Sequence, residues 1–247
     1  MIATGEGRTH RVGLRQQFGR GFLVLLGGCL ALLCGCLALL CGLPTRAAEP
    51  ATVTFSLDFP NSDPERYSIV VQSDGHARYE CSAKISADSD DRETYQTEFI
   101  FSDATRARIF DLAAQAHYFS GKIDSGNHKI AFTGAKKLVY QDGQRQSAAA
   151  YNFSPMPAVQ QLTTLFQSVG ATLEFGRRLA HDHRYQKLAL DDEMKRIEDQ
   201  ARRGDLIELQ AIRPVLQEIH DDPSVMNVVR ARAQRIIEMG NATPTAH

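Results

Sequence analysis

The sequence predicts an α+β fold: an antiparallel β-sheet with packed helices, followed by an α-helical C-terminal extension of helical hairpins. Before Ser154, apolar residues recur mainly at every second position, which indicates half-buried strands. After it they recur at helical spacing. Two Asp-Gly pairs, Asp74-Gly75 and Asp142-Gly143, predict hairpins with type I′ turns, in which both central residues have positive φ. Strands and helices segregated in this way are typical of the α+β class.

Alternating runs place the individual strands. The first is TVTFSLDF at residues 52–59, and two more flank the first Asp-Gly pair. TYQTEFIF at residues 94–101 and KIAFTG at residues 129–134 are expected to form further strands. The runs on either side of the second Asp-Gly pair complete the sheet. Because side chains alternate across a strand, the apolar set of each run defines the face that meets the core.

One helix is expected between TYQTEFIF and KIAFTG. Ser102 is placed to cap it, because a serine oxygen accepts a hydrogen bond from an unpaired N–H of the first turn. Ile109, Leu112 and Ala113 share one face of this helix, and the pattern ends near His117. The helix is therefore expected to cover the sheet.

Four helical segments are expected after Ser154. The first keeps an apolar face and is expected to close one side of the sheet. Asp191 is placed to cap the second, and Asp205 opens the third. Pro214 must kink or split that third segment, because proline lacks the N–H that the helix needs. Asp222 opens the last segment.

Residues 1–48 are predicted to be a secretory signal peptide. Four arginines precede an apolar run at residues 22–43, and small residues follow it. The run is long for a signal peptide, but a tandem repeat accounts for the extra length, since the phrase CLALLCG occurs twice, at residues 29–35 and 36–42. An uncleaved membrane anchor and a lipid-attachment site at Cys29 are the alternatives. All three interpretations place the rest of the chain outside the cytoplasm.

The remaining chain is expected to divide into an α+β domain at residues 49–185, a helical extension at residues 186–240 and a disordered tail at residues 241–247. Without residues 1–48, 23 basic and 28 acidic side chains remain (28 − 5 and 29 − 1), a net charge of −5. This charge disfavours nucleic acid as a partner. Cys81 is then the one cysteine left, and its strand pattern predicts a buried structural thiol.

The stretch PERYSIVVQSDGHARYEC, residues 64–81, resembles the opening of a family of secreted bacterial envelope domains of unknown function. The matching positions are Tyr67, Ile69, Asp74, Gly75 and Tyr79. Residues 60–63 stand where that family often has cysteines, so no cysteine-dependent property follows. The segment at residues 209–237 is similar to secreted proteins of acidobacteria. The resemblance implies a fold of sheet and helix and an exported location.

Candidate site residues are few. Five aromatic side chains could line a ligand pocket between the sheet and the helices: Tyr118, Phe119, Phe132, Tyr140 and Tyr151. His128 lies close to a serine and an aspartate in the loop DSGNHK, although that loop is also typical of a tight turn. His181 and His183 could bind a metal only in an extended segment, because on a helix they point about 200° apart. No catalytic motif and no cofactor site is recognised.

The sequence therefore favours an exported, non-enzymatic protein-interaction or structural module of the bacterial envelope. An envelope protein is expected to bind through the helical extension, and membrane contact is expected only through residues 22–43. A periplasmic protein that binds a small ligand or a lipid is the alternative. A third alternative is a hydrolase that uses His128 or the pair His181 and His183.

Overall fold

A computed structural model describes four stretches of the chain: residues 50–60, 62–84, 92–127 and 129–241. They belong to one compact unit that begins at Glu49. The predicted signal peptide or anchor, including Cys29, lies outside the described residues, as do His128 and residues 242–247 of the predicted tail.

Six antiparallel strands form one sheet in the order β4-β3-β2-β1-β5-β6. The strands are β1 (Thr52–Asp58), β2 (Arg66–Gln72), β3 (His76–Lys84), β4 (Arg92–Ile100), β5 (Ala135–Gln141) and β6 (Gln146–Tyr151). Along β1 to β3, buried and partly exposed residues alternate, as the sequence pattern predicts. Together with the helices described below, this sheet confirms the α+β class.

Both predicted hairpins form, but their turns are not of type I′. At the β2–β3 turn Gly75 has a φ of +98°, whereas Asp74 is not among the described residues with positive φ. The N–H of Gly75 donates to the carbonyl of Gln72 over 2.9 Å. At the β5–β6 turn Asp142 Oδ1 accepts from the N–H of Arg145 over 2.6 Å. An aspartate side chain that bonds the backbone ahead of it supplies a turn by itself.

The strand predicted at residues 129–134 does not form. This segment is irregular and is fixed from the side, since the N–H of Thr133 donates to Asn152 Oδ1 over 3.0 Å. At its end Gly134 has a φ of +97°, and a Cβ there would lie 2.6 Å from Leu57 Cδ1. Side-chain hydrogen bonds and a close approach therefore replace strand pairing here.

Two helices cover one face of the sheet: α1 (Asp103–Gln115) and α2 (Pro157–Tyr185). Ser102 caps α1 as predicted, because its side chain accepts from the N–H of Thr105 over 3.3 Å. Along α2, Phe166 stacks on Phe55 of β1 at a centroid distance of 5.2 Å. One turn later, Gly170 lies against the ring of Tyr67 on β2. The helix therefore crosses the strands one after another.

The second half of α2 continues into a helical part made with α3 (Leu190–Arg203), α4 (Arg213–Asp221) and α5 (Asn227–Asn241). A 3₁₀ turn at Leu209–Ile212 precedes α4, and Pro214 occupies the first turn of that helix, so the predicted split is confirmed. The predicted cap at Asp191 is wrong: the N-cap is Ala189. Asp191 lies inside the first turn of α3 and bonds Arg232 of α5 over 2.6 Å.

Two hydrophobic cores result, and α2 contributes to both. The first lies between the sheet, α1 and the first half of α2, and the second lies among the helices from Phe175 onward. The described residues of these cores lie between Val53 and Ile237. Within the described part of the chain, no helix is long and apolar enough to cross a membrane.

Candidate functional site

Four exposed apolar side chains lie at the junctions of the helical part. Tyr185 is the last residue of α2 and is 67 % exposed, and Leu188 in the α2–α3 turn is 84 % exposed. Met226 and Val228, where α5 begins, are also exposed. We call these four residues the helical-end patch. Exposed apolar side chains that form one contiguous surface are typical of a site that another molecule covers.

Ion pairs hold the two halves of the helical-end patch together. Lys187 Nζ lies 2.6 Å from Asp222 Oδ2 and 2.5 Å from Ser224 Oγ. His183 Nε2 lies 2.9 Å from the same oxygen of Asp222. The hydrogen bond from Lys187 keeps the pKa of Asp222 well below its usual range. These contacts join the end of α2 to the α4–α5 turn, so the α2–α3 turn and the turn that leads into α5 are adjacent.

Local hydrogen bonds fix the two turns that carry the patch. The N–H of Gln186 donates to the carbonyl of Asp182 over 2.8 Å and ends α2. In the other turn Asp222 Oδ1 accepts from the N–H of Ser224 over 2.8 Å. An aspartate that bonds the backbone two residues later favours a turn over a helix. This explains why α5 begins at Asn227, later than the sequence predicts.

The predicted histidines are separated. His181 and His183 both lie on α2, so they cannot share an ion. The ring of His181 packs on Tyr185 at 5.2 Å, while His183 bonds Asp222. No group of three potential metal ligands occurs among the described residues.

The five predicted aromatic residues lie in different environments. Phe119, Tyr140 and Tyr151 are buried in the first core, and burial raises the pKa of Tyr151 to about 12. The ring of Tyr118 packs on Tyr140 at 4.6 Å. Phe132 instead is exposed and borders a cavity of about 360 Å³ that residues 124–127, Ile130 and Asn152 also line. Ligand binding by these residues stays a prediction.

A buried polar network joins the sheet to α2. The hydroxyl of Tyr79 donates to Glu174 Oε1 over 2.5 Å, and Arg177 Nε donates to Glu174 Oε2 over 2.9 Å. Arg177 also lies 3.7 Å from Asp63. Burial, with Glu174 next, raises the pKa of the neighbouring Cys81 thiol to about 12, and Cys81 is buried as predicted. The signal for this network was a Glu and an Arg three residues apart on an otherwise apolar helix face.

A second polar contact ties the helical part to the start of α1. Glu208, which has a φ of +59°, accepts from the N–H of Ser102 over 2.8 Å and from its hydroxyl over 2.7 Å. The hydroxyl of Thr105 donates to the same carboxylate over 2.5 Å. A carboxylate at a helix N-terminus satisfies unpaired donors and the positive end of the helix dipole. Nothing in the sequence near Glu208 indicates this partner 106 residues away.

Comparison with known proteins adds no relative: no protein-family model matches the sequence, and no curated protein matches it.

Proposed function

We propose that this protein is an exported interaction module of the bacterial envelope and that the helical-end patch binds a protein partner. The single observation that carries the proposal is the exposure of four large apolar side chains at two adjacent turns that side-chain hydrogen bonds join. Burying such side chains against a partner is favourable by roughly 1.5–3 kcal/mol for each large aliphatic or aromatic residue.

Charge favours a protein partner over a lipid surface at this patch. The ammonium of Lys187 is already paired with Asp222. Asp192 and Asp221, close in sequence to the two turns, are largely exposed, while Lys195 lies 3.8 Å from Asp192 and Arg184 lies over the ring of Tyr185. Side chains of both signs beside an apolar patch give no net attraction to the anionic lipids that attract peripheral proteins. The expected partner therefore presents an apolar surface bordered by charged side chains of both signs.

Site-specific photocrosslinking tests this proposal in the native host. A photoreactive amino acid is placed at Leu188 or at Met226 of the full chain, and the same amino acid at Ile100 is the control. Ile100 is 60 % exposed but lies on β4. We expect one partner, identified by mass spectrometry, to be captured from both patch positions and not from Ile100.

The purified partner then gives the decisive measurement. We expect Leu188→Glu to weaken binding at least tenfold, whereas Ile100→Glu leaves it unchanged. Equal capture from all three positions, or a Leu188→Glu variant with unchanged affinity, would contradict the proposal. Crosslinks to lipid alone at Leu188 and Met226 would also overturn it.

A further inference from the structure

A second exposed apolar surface lies at one end of the sheet. Phe132 is 57 % exposed, and Phe59 and Phe153 are exposed as well. The register pairs Asp58 with Ala135 and Lys136 with Tyr151. Continued past the strand ends, this register brings Phe59, Gly134 and Phe153 into one row. We call the three phenylalanines the phenylalanine rim.

Gly134 lets the rim form. A Cβ at Gly134 would lie 3.0 Å from the Cβ of Phe59 and closer still to Leu57. Without that atom, the loop before β5 can approach β1, and the ring of Phe132 packs on Phe59 at a centroid distance of 6.0 Å. On the far side of the row, the carbonyl of Phe153 accepts from the N–H of Ser125 over 2.9 Å. The three rings are thus presented from positions that the backbone fixes.

A buried positive charge lies beneath the rim. Lys136 is 4 % exposed, and its ammonium donates to the carbonyls of Thr133, Gly134 and Asn152 at 3.1–3.2 Å and to the hydroxyl of Thr133 at 2.8 Å. All of these acceptors are neutral. Among the described residues no carboxylate forms a salt bridge with this ammonium, so its field is not cancelled by a direct partner.

Two further lysines lie on the loop that carries Phe132. Lys122 and Lys129 are exposed, and neither makes a salt bridge to a residue that the structure describes. Asp124 is the acid on this loop, and its two oxygens accept from the N–H groups of Gly126 and Asn152. With Lys136, these lysines outnumber Asp124 on this side of the rim. Beside Phe59 the acids Asp58 and Glu65 are paired with Arg66 and Arg92, so the described residues around the rim carry a net positive charge.

We propose that the phenylalanine rim docks on an anionic phospholipid surface. Exposed aromatic rings enter the interfacial region of a bilayer, and nearby lysines are attracted to anionic head groups. The geometry supplies both elements on one side of the molecule: three rings from adjacent strand ends, and positive charge around and beneath them. This contact is independent of residues 22–43 and of the helical-end patch.

Vesicle flotation with the chain that starts at residue 49 tests the inference, since residues 49–247 form a compact unit of their own. Vesicles are made of phosphatidylcholine alone or of phosphatidylcholine with phosphatidylglycerol in a 7:3 ratio. We expect binding to the anionic vesicles that is at least tenfold tighter than to the neutral ones and that weakens at high salt.

Variants separate the contribution of the aromatic rings from that of the lysines. Phe132→Ser is expected to weaken binding to anionic vesicles about tenfold, while Ile100→Ser, which removes an equally exposed apolar side chain elsewhere, leaves binding unchanged. Lys122→Glu with Lys129→Glu is expected to remove the preference for anionic lipid. Circular dichroism checks that each variant is folded.

Three results would overturn the inference: no binding to either vesicle, equal binding to both, or the same loss from Ile100→Ser as from Phe132→Ser. Each of them leaves the partner proposal for the helical-end patch untouched, because that proposal is tested at Leu188.

Discussion

Replacing Arg177 by methionine removes one member of the buried network between the sheet and α2. Arg177 is 7 % exposed and donates to Glu174, which is just as deeply buried. In Arg177→Met the Glu174 carboxylate would keep the hydroxyl of Tyr79 as a partner but lose its cationic one. No buried side-chain nitrogen or oxygen among the described residues lacks a partner in the wild type. The variant therefore leaves a buried carboxylate without its cationic partner, whereas the described buried groups of the wild type are all paired.

We expect Arg177→Met to lower the free energy of unfolding by roughly 3–5 kcal/mol, the range for removing one partner of a buried ion pair. Small domains are stable by about 5–15 kcal/mol, so this is a large fraction of the total. For a chain of this size each kcal/mol shifts the melting temperature by about 2–4 °C. The melting temperature should therefore fall by roughly 6–20 °C.

Urea unfolding followed by circular dichroism measures this cost, since the chain contains no tryptophan to report by fluorescence. Arg196→Met is the matched control. Arg196 forms the same i,i+3 pair, with Glu193 at 3.4 Å, but its side chain is 67 % exposed. We expect a change there of about 0–1 kcal/mol.

A double variant tests the physical reason. Glu174→Gln combined with Arg177→Met removes both charges and keeps an amide oxygen as an acceptor for the hydroxyl of Tyr79. We expect this double variant to recover much of the loss, since it leaves no unpaired buried charge. The reasoning would be refuted by an Arg177→Met variant that costs no more than Arg196→Met. A double variant less stable than Arg177→Met would refute the charge argument in particular.

Three further predictions concern single groups. Glu208→Gln should lower the free energy of unfolding by roughly 1–3 kcal/mol and speed amide hydrogen exchange at residues 102–106, because it weakens charged hydrogen bonds to the start of α1. The same change at the exposed residue Glu218 should do neither. Cys81 should resist alkylation up to pH 9 in the folded protein and react in urea, as peptide mass spectrometry can show, because burial raises its pKa to about 12. Fast alkylation in buffer would contradict this. Since the pKa of Asp222 is lowered on folding, its stabilising effect exists above the unfolded pKa near 4 and is lost as pH falls through the lower folded value. The gap in melting temperature between wild type and Asp222→Asn should therefore narrow below about pH 4, and a constant gap would exclude this linkage.

Strands β1 and β2 could be predicted because apolar residues recur at every second position in both of them. Val53 and Phe55 on β1, and Ile69 and Val71 on β2, are fully buried, as their spacing requires. The strand predicted at residues 129–134 failed because its short apolar run is outweighed by contacts that are distant in sequence. The amide of Asn152 is one such contact, and no local pattern shows it.

The candidate surfaces were harder to predict than the fold. Leu188 and Phe153 look like ordinary apolar residues near element ends, and nothing local shows that they are exposed. The sequence did place a partner surface on the helical extension, which is still a proposal. Periodicity shows which face of an element meets a core, but it carries no information about residues in turns. Those positions are decided by which elements come to lie side by side.

The sharing of α2 between the two cores has a consequence for biosynthesis. The helix has 29 residues and is about 43 Å long, and its first half supplies Leu162, Phe166 and Val169 to the core under the sheet. When all six strands have left the ribosome, α2 has not yet been released, because it follows β6 in the sequence. Until then the part of the inner face that α2 covers is exposed to water or bound by a chaperone. A chain truncated after Tyr151 should therefore aggregate, and export before folding would spare the cytoplasm this intermediate.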